Sequence, residues 1–210
     1  MASRRRIGVE SSETRAQLLD TAERIMQEEG YPAVTTRRIA SRMGVSNQLV
    51  HYYFRTMEDL FIALMRRGSE RNLGALRQAF ASEDPLRALW TIYGDPNFTR
   101  LAIEYMALTN HRKDIAAEAS RHTKRMRELE AEALSRVLAE HGIDQGTYPA
   151  AGVAVLLSAI PRVMAMEAAL GISEGHREAT ALVREFFRKN RMDMSATAPR
   201  RRKGHRTPRR

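Results

Sequence analysis

Apolar positions recur at helical spacing along most of the chain, and no segment alternates in the strict two-residue rhythm of a half-buried strand. Over 12–29, Leu18, Leu19, Ala22, Ile25 and Met26 fall on one face, and Gly30 ends the run. Thr35 or Thr36 then caps a short helix whose Ile39, Ala40 and Met43 share an apolar side. Gly44 supplies a turn, and Ser46 caps a second short helix that is expected to bury Leu49 and Val50. Thr56 opens a further helix, with Asp59 three residues on as the short relative of a capping box, and Leu60, Ala63 and Leu64 turn inward. Two short helices joined at a glycine and preceded by a longer one have the layout of a helix-turn-helix DNA reader.

Past residue 67 the pattern still predicts helix. The Glu83-Asp84-Pro85 break is followed by segments near 85–93 and 97–109 flanking a Gly94-Asp95-Pro96 turn. A charged helix over 114–141 carries a stripe of Met126, Leu129, Ala133, Leu134, Val137 and Leu138, and Gly142 ends it. Two final helices are expected over 147–170 and 174–189. The stretch 150–160 is apolar nearly all round and uncharged, so it must be covered on more than one side. A membrane span is excluded as the explanation, because the uncharged run is short and Pro161, Arg162 and Glu167 interrupt its continuation. Pro161 should kink this helix, since an interior proline costs roughly 3 kcal/mol in a straight one. In the last helix Ala179, Leu182, Val183, Phe186 and Phe187 again share a face. Two such helices from each of two copies make a four-helix seam, with Val153, Leu157, Leu182, Val183, Phe186 and Phe187 as its expected residues.

Charge alters the picture in one respect. The 210-residue chain carries a net +10, of which residues 191–210 hold +7 and residues 1–10 hold +2, so the body is close to neutral. Within it, 31–56 carries Arg37, Arg38, Arg42 and Arg55 without a single acid, and this local +4 patch coincides with the helix-turn-helix. The ends, 1–11 and 191–210, read as a flexible basic arm and a disordered basic tail. With no cysteine there is no disulfide framework, zinc finger or thiol nucleophile. No signal-peptide pattern precedes the first helix, and a reducing, cytoplasmic setting is expected. The parts of an enzyme are missing too: there is no glycine-rich phosphate loop, no His-Glu-x-x-His and no nucleophile elbow. His111 with Asp114, and Glu128, Glu130 and Glu132, read as surface charges on the long helix. No catalytic residue, metal site or cofactor is expected.

Residues 12–67 resemble the N-terminal domain of the TetR family of transcriptional regulators. The likeness rests on Gly30-Tyr31, Thr35-Thr36, Ile39-Ala40, Gly44-Val45-Ser46, Leu49, Tyr52, Phe54 and Glu58-Asp59-Leu60, in the family's order and spacing. It implies an all-α fold in which a three-helix DNA-binding domain (12–67) is joined by a linking helix to a C-terminal helical domain (68–190) for effector binding and dimerisation. Thr36, Arg37, Ser46, Asn47, Gln48, His51, Tyr52, Tyr53 and Met57 are the positions expected at DNA. Asn47 and Gln48 suit base edges, whereas Arg37, Tyr52 and Tyr53 suit phosphate or sugar. The family usually has tyrosine at the position of His51 and lysine at that of Met57; His51 keeps a donor, but Met57 leaves only the backbone amides at that helix start.

The resemblance also implies a pocket for a small effector, and flexible methionines beside aromatic rings suit an irregular apolar cavity. The expected lining is Trp90, Phe98, Leu101, Tyr105, Met106, Met126, Leu156, Ile160 and Met164, with Tyr105, Asn110 and His122 as orienting polar groups. The chain is thus expected to act as a homodimeric repressor on a double-stranded, pseudo-palindromic operator, answering to an apolar or amphipathic molecule, with no membrane partner. The alternative is a helical adaptor or ligand-binding protein whose helix-turn-helix is only structural.

Overall fold

The computed structural model describes residues 13–110 and 112–189; the basic arm expected over 1–11 and the tail expected over 191–210 lie outside the described residues, as does His111. Among the described residues the secondary structure is helical throughout, with no strand. The order is α1 (Glu13–Glu29), α2 (Thr36–Met43), α3 (Asn47–Tyr53), α4 (Met57–Phe80), α5 (Pro85–Tyr93), α6 (Pro96–Thr109), α7 (Lys113–Glu140), α8 (Ala150–Ala169) and α9 (His176–Lys189), with one 3-10 turn at Tyr31–Ala33.

Capping chemistry sets most of the boundaries. Thr56 Oγ1 accepts from Asp59 N–H at 3.0 Å while the Asp59 carboxylate accepts from Thr56 N–H at 3.0 Å, a complete reciprocal box at the start of α4. Asp84 accepts from Arg87 N–H, and Asp95 from the N–H groups of Asn97 and Phe98, each just ahead of a proline in the first turn of α5 and α6. These two caps place α5 and α6 on either side of the Gly94 turn that the sequence predicts.

Two buried clusters form the core. The first joins Leu18, Ile25 and Met26 of α1 to Ile39, Val50 and Leu60, and extends to Leu108 and Ile115 from the C-terminal half. The second gathers Leu73, Leu76, Leu89, Tyr93, Leu134, Leu157 and Phe187. Helix α4, about 36 Å long at 1.5 Å per residue, serves both, with Leu60–Met65 side chains in the first and Leu73, Leu76 and Ala79 in the second. Helix α6 packs on α7 and α8 and also on α1 and the 3-10 turn, so the C-terminal half grips the head directly.

Helix α8 is the one helix among the described residues that is long and apolar enough, by length and composition alone, to cross a membrane. Here it packs against α5, α6 and α7, burying Val153, Ala154, Leu157, Ser158 and Pro161, and it runs on as helix through Pro161. Three residues expected in a dimer seam are therefore placed differently: Val153, Leu157 and Phe187 lie inside the chain's own core at 7%, 4% and 2% exposure. Their burial leaves nothing to offer a second copy. The outward face of α8 is instead Val155, Leu156, Val163 and Met166, and α9 adds Leu182 at 72% exposure, with Val183 and Phe186 half-buried beside it.

Candidate nucleic-acid interface and ligand cavity

The geometry of the head follows from three short-range devices. Thr35 caps α2 by accepting from Arg38 N–H at 3.1 Å. Gly44 closes α2 with φ 67°, the left-handed conformation that costs an ordinary residue about 1–2 kcal/mol. Ser46 then accepts from Leu49 N–H at 3.3 Å, starting α3 two residues later. Only Val50 of α3 is fully buried; Leu49, expected beside it, is half-exposed. Gln48, His51 and Tyr52 are left as the exposed outer face of this seven-residue helix.

Arg37, Ser46, Gln48, His51 and Tyr52 are exposed, and Thr36, Asn47, Tyr53 and Met57 are half-buried around them. Tyr52 and Tyr53 meet edge to face at 5.1 Å, and Tyr53 leans on the first core cluster, which fixes the pair at the C-terminal end of α3. Asn47 Oδ1 is buried without a hydrogen-bond partner among the described residues. At the start of α4 the Asp59 N–H is already taken by Thr56, so only earlier amides stay open to an incoming oxygen.

The basic patch is smaller than the sequence predicts. Arg38 bonds Glu29 at 2.9 Å, and Arg42 bonds Glu28 at 3.0 Å and Glu29 at 2.6 Å. Both acids come from the last turn of α1. Their proximity holds the Glu29 carboxyl below its ordinary range through its bond to Arg38, and raises Arg42 further. Of the four arginines, Arg37 and Arg55 are exposed and in no ion pair among the described residues.

A second feature lies between α4, α5, α6, α7 and α8, where a cavity of about 190 Å³ opens. Phe98, Leu101, Tyr105, Met106 and Met126 line it as expected, with Met106 at the mouth, 63% exposed. Trp90, Leu156, Ile160 and Met164 do not. Trp90 packs on the second core cluster, Leu156 faces outward at 62% exposure, and Met164 lines an open groove beside His176 and Thr180 of α9. The cause is the phase of α8, which turns Arg162 rather than Ile160 or Met164 toward the space. Of the expected orienting groups, Tyr105 and His122 are present.

The cavity is also more polar than an apolar pocket. Glu130, expected at the surface, is 2% exposed; it accepts from Tyr93 Oη and from Arg127 at 2.7 Å, and Arg127 continues to Ser158 at 2.8 Å and the Ala154 carbonyl at 3.1 Å. Arg162 stacks over the Tyr93 ring at 5.1 Å. At the opposite wall Arg71 bonds Glu23 of α1 at 2.5 Å, and Arg67 bonds the same carboxylate at 2.7 Å. His122 contacts Ser69 Oγ at 2.5 Å and is held below its ordinary pKa by burial, with Arg125 adding repulsion. Burial likewise pushes the Tyr105 phenol upward.

Burial raises the Glu130 carboxyl from near 4.5 to about 7, with Arg162 pulling the other way. A raised folded pKa means that the folded state binds the extra proton, so stability is full below about 4.5 and falls as pH rises toward about 7. Glu130→Gln should flatten this slope and lose about 1–3 kcal/mol less than the parent between pH 5 and pH 8. Urea midpoints at the two pH values check it; equal slopes in both proteins would place the titration elsewhere.

Residues 18–64 match the family described as bacterial regulatory proteins, tetR family. Three curated relatives extend the match. The HTH-type transcriptional repressor Rv1474c of Mycobacterium tuberculosis is 32% identical over 102 residues, 41% of this chain and 54% of that protein. The HTH-type transcriptional regulator AcrR of Shigella flexneri is 31% identical over 38% of each chain, and BetI of Rhizobium meliloti is 41% identical over 29% of this chain and 30% of its own. The match to the TetR family lies in the N-terminal domain of this chain. The aligned part spans about half or less of these relatives' own length.

The fold likeness reaches further than the sequence likeness. A transcriptional regulator of Saccharomonospora viridis, solved in complex with choline, shares the fold over 85% of this chain and 97% of its own, with TM-score 0.70 at 21% identity. A TetR transcription regulator of Haloarcula marismortui does so over 82% and 95%, with TM-score 0.64 at 18% identity. The C-terminal helices of this chain therefore share an architecture with those proteins.

Proposed function

We propose that the protein is a cytoplasmic, homodimeric transcriptional repressor whose two heads read half-sites of a pseudo-palindromic operator, and whose affinity for DNA answers to a small molecule in the cavity. The observation that carries the reading is α3: a capped seven-residue helix with one buried residue and an outer face of Gln48, His51 and Tyr52 flanked by Arg37. An adaptor has no use for such a face. Dimerisation is supported by the apolar outer side of α8, which in one copy is left to water.

Coupling has a short route. Helix α6 forms one cavity wall, and the same helix holds the end of α1: the Glu104 carboxylate accepts from Tyr31 N–H at 2.7 Å and Arg100 donates to the Gln27 carbonyl at 3.0 Å. A ligand that binds one position of α6 better than the other must shift the head with it, and must weaken or strengthen DNA binding by the same differential affinity. The neighbour from Saccharomonospora viridis binds choline, a cation; the arginine-rich wall here favours the opposite charge.

Base reading and phosphate contact are separable. Gln48→Ala should lose about 1–3 kcal/mol of discrimination at one base position, whereas Arg37→Ala should weaken all duplexes alike. Fluorescence anisotropy on a selected duplex and its single-base variants measures both. Identical profiles for the two variants would remove α3 from base reading.

A further inference from the structure

Among the described residues, the cavity wall holds one arginine with no hydrogen-bonded or ion-paired anion. Arg71 is paired with Glu23 through Nη2, and Arg127 bonds Glu130, Ser158 and the Ala154 carbonyl through Nη1. Both oxygens of Glu130 are engaged, by Tyr93 and by Arg127. Arg162 is near enough to Glu130 to be attracted to it, yet among the described residues it makes no hydrogen bond or ion pair, and its Nε is buried with no partner. Its guanidinium instead lies over the Tyr93 ring on the cavity wall. Buried donors in this state are uncommon and costly, and an uncommitted guanidinium fork is the geometry that binds a carboxylate through two parallel hydrogen bonds.

We propose that the cavity binds a small amphipathic carboxylate, its acid group on Arg162 beside Tyr93 and its apolar body against Phe98, Leu101 and Met126. This rests on the reading of the cavity as the effector site. One guanidinium without an anion of its own is balanced by a monoanion, whereas a dianion would leave a negative charge over. The volume agrees, since a cavity of about 150 Å³ accommodates benzene and this one, at about 190 Å³, has space for a ring or short chain besides the acid. A cation gains nothing, because the one carboxylate on the wall is already doubly bonded.

Calorimetry on the full chain tests the charge class with matched probes: benzoate and hexanoate, the neutral benzamide and hexanamide, and a benzyl quaternary ammonium. The carboxylates should bind at least about tenfold more tightly than their amides, and Arg162→Gln should erase about 10- to 100-fold of carboxylate affinity while leaving the amides unchanged. Ala102→Glu, which adds a negative charge to the α6 wall without touching Arg162, should weaken the carboxylates selectively and keeps the test decisive if Arg162→Gln folds poorly. Amides or the ammonium binding as tightly as the acids, no binding by the acids, or carboxylate affinity indifferent to both variants would overturn the proposal. DNA anisotropy with and without the acid tests the underlying reading separately: tight, Arg162-dependent binding with unaltered DNA affinity would sustain the ligand class and refute its role as effector.

Discussion

Leu156→Glu combined with Val163→Glu is expected to convert the proposed dimer into monomers and to lower operator affinity by orders of magnitude. The two residues lie seven apart on the outer face of α8, at 62% and 49% exposure, so a single copy tolerates both charges in water. Across a two-fold seam each charge is buried twice over. Desolvation of about 1–3 kcal/mol per group, over four groups, then gives roughly 4–12 kcal/mol, about 10³–10⁹ in the dimer dissociation constant. Each monomer would hold one half-site alone. Analytical ultracentrifugation at low micromolar concentration reads the outcome, and far-UV circular dichroism should be unchanged. Phe187→Glu supplies the contrast: that ring is 2% exposed, edge to face with Phe186 at 5.3 Å. Losing it from the core costs about 3–5 kcal/mol before the charge is counted, so the variant should unfold rather than dissociate. A double-glutamate protein that sediments as a dimer would move the seam off α8.

Gly44→Val should abolish specific DNA binding while the C-terminal half stays folded. With φ 67° at this position, a β-branched side chain is in a conformation costing about 1–3 kcal/mol. The space around a Cβ there is empty to 4 Å, so the penalty comes from the backbone alone and not from a clash. Asparagine, which visits the left-handed region more readily, should retain most binding at the same site. The valine variant has an easy escape, a rotation of α3 about the turn, and that displaces Gln48 and Tyr52 from their face. Anisotropy of both variants, with thermal melts resolving head from C-terminal half, checks the order Gly, Asn, Val. Valine binding like glycine would show that the turn does not set the angle of α3.

The head was legible in the sequence because its devices are local. Thr35, Gly44, Ser46 and the Thr56–Asp59 box each act within four residues, so composition and spacing carry them in full. The charge of the head was less so, because Glu28 and Glu29 reach across from α1 to Arg38 and Arg42. In α8 periodicity fails for a physical reason: a helix apolar on all sides carries no mark of which face meets its own core, and Val153 and Leu157 were as eligible for the seam as Leu156. In the sequence Glu130 reads as a surface charge, and Arg162 only as a break in an apolar run, for the opposite reason. One sits on a charged helix and the other ends an apolar run, and only the meeting of α5, α7 and α8 makes a buried network of them. Phe98, Leu101, Tyr105, Met106 and Met126 line the cavity as expected because α6 and α7 both border it.

The central claim is that α3 reads sequence as half of a symmetric pair. Selection of duplexes from a random-sequence library by the full-length protein tests it most directly. The predicted result is one enriched, two-fold symmetric site with half-sites about one helical turn apart, lost with Gln48→Ala at the base that it reads and lost altogether with Leu156→Glu, Val163→Glu. Enrichment of no sequence, or of an asymmetric site that both variants bind equally well, would contradict it.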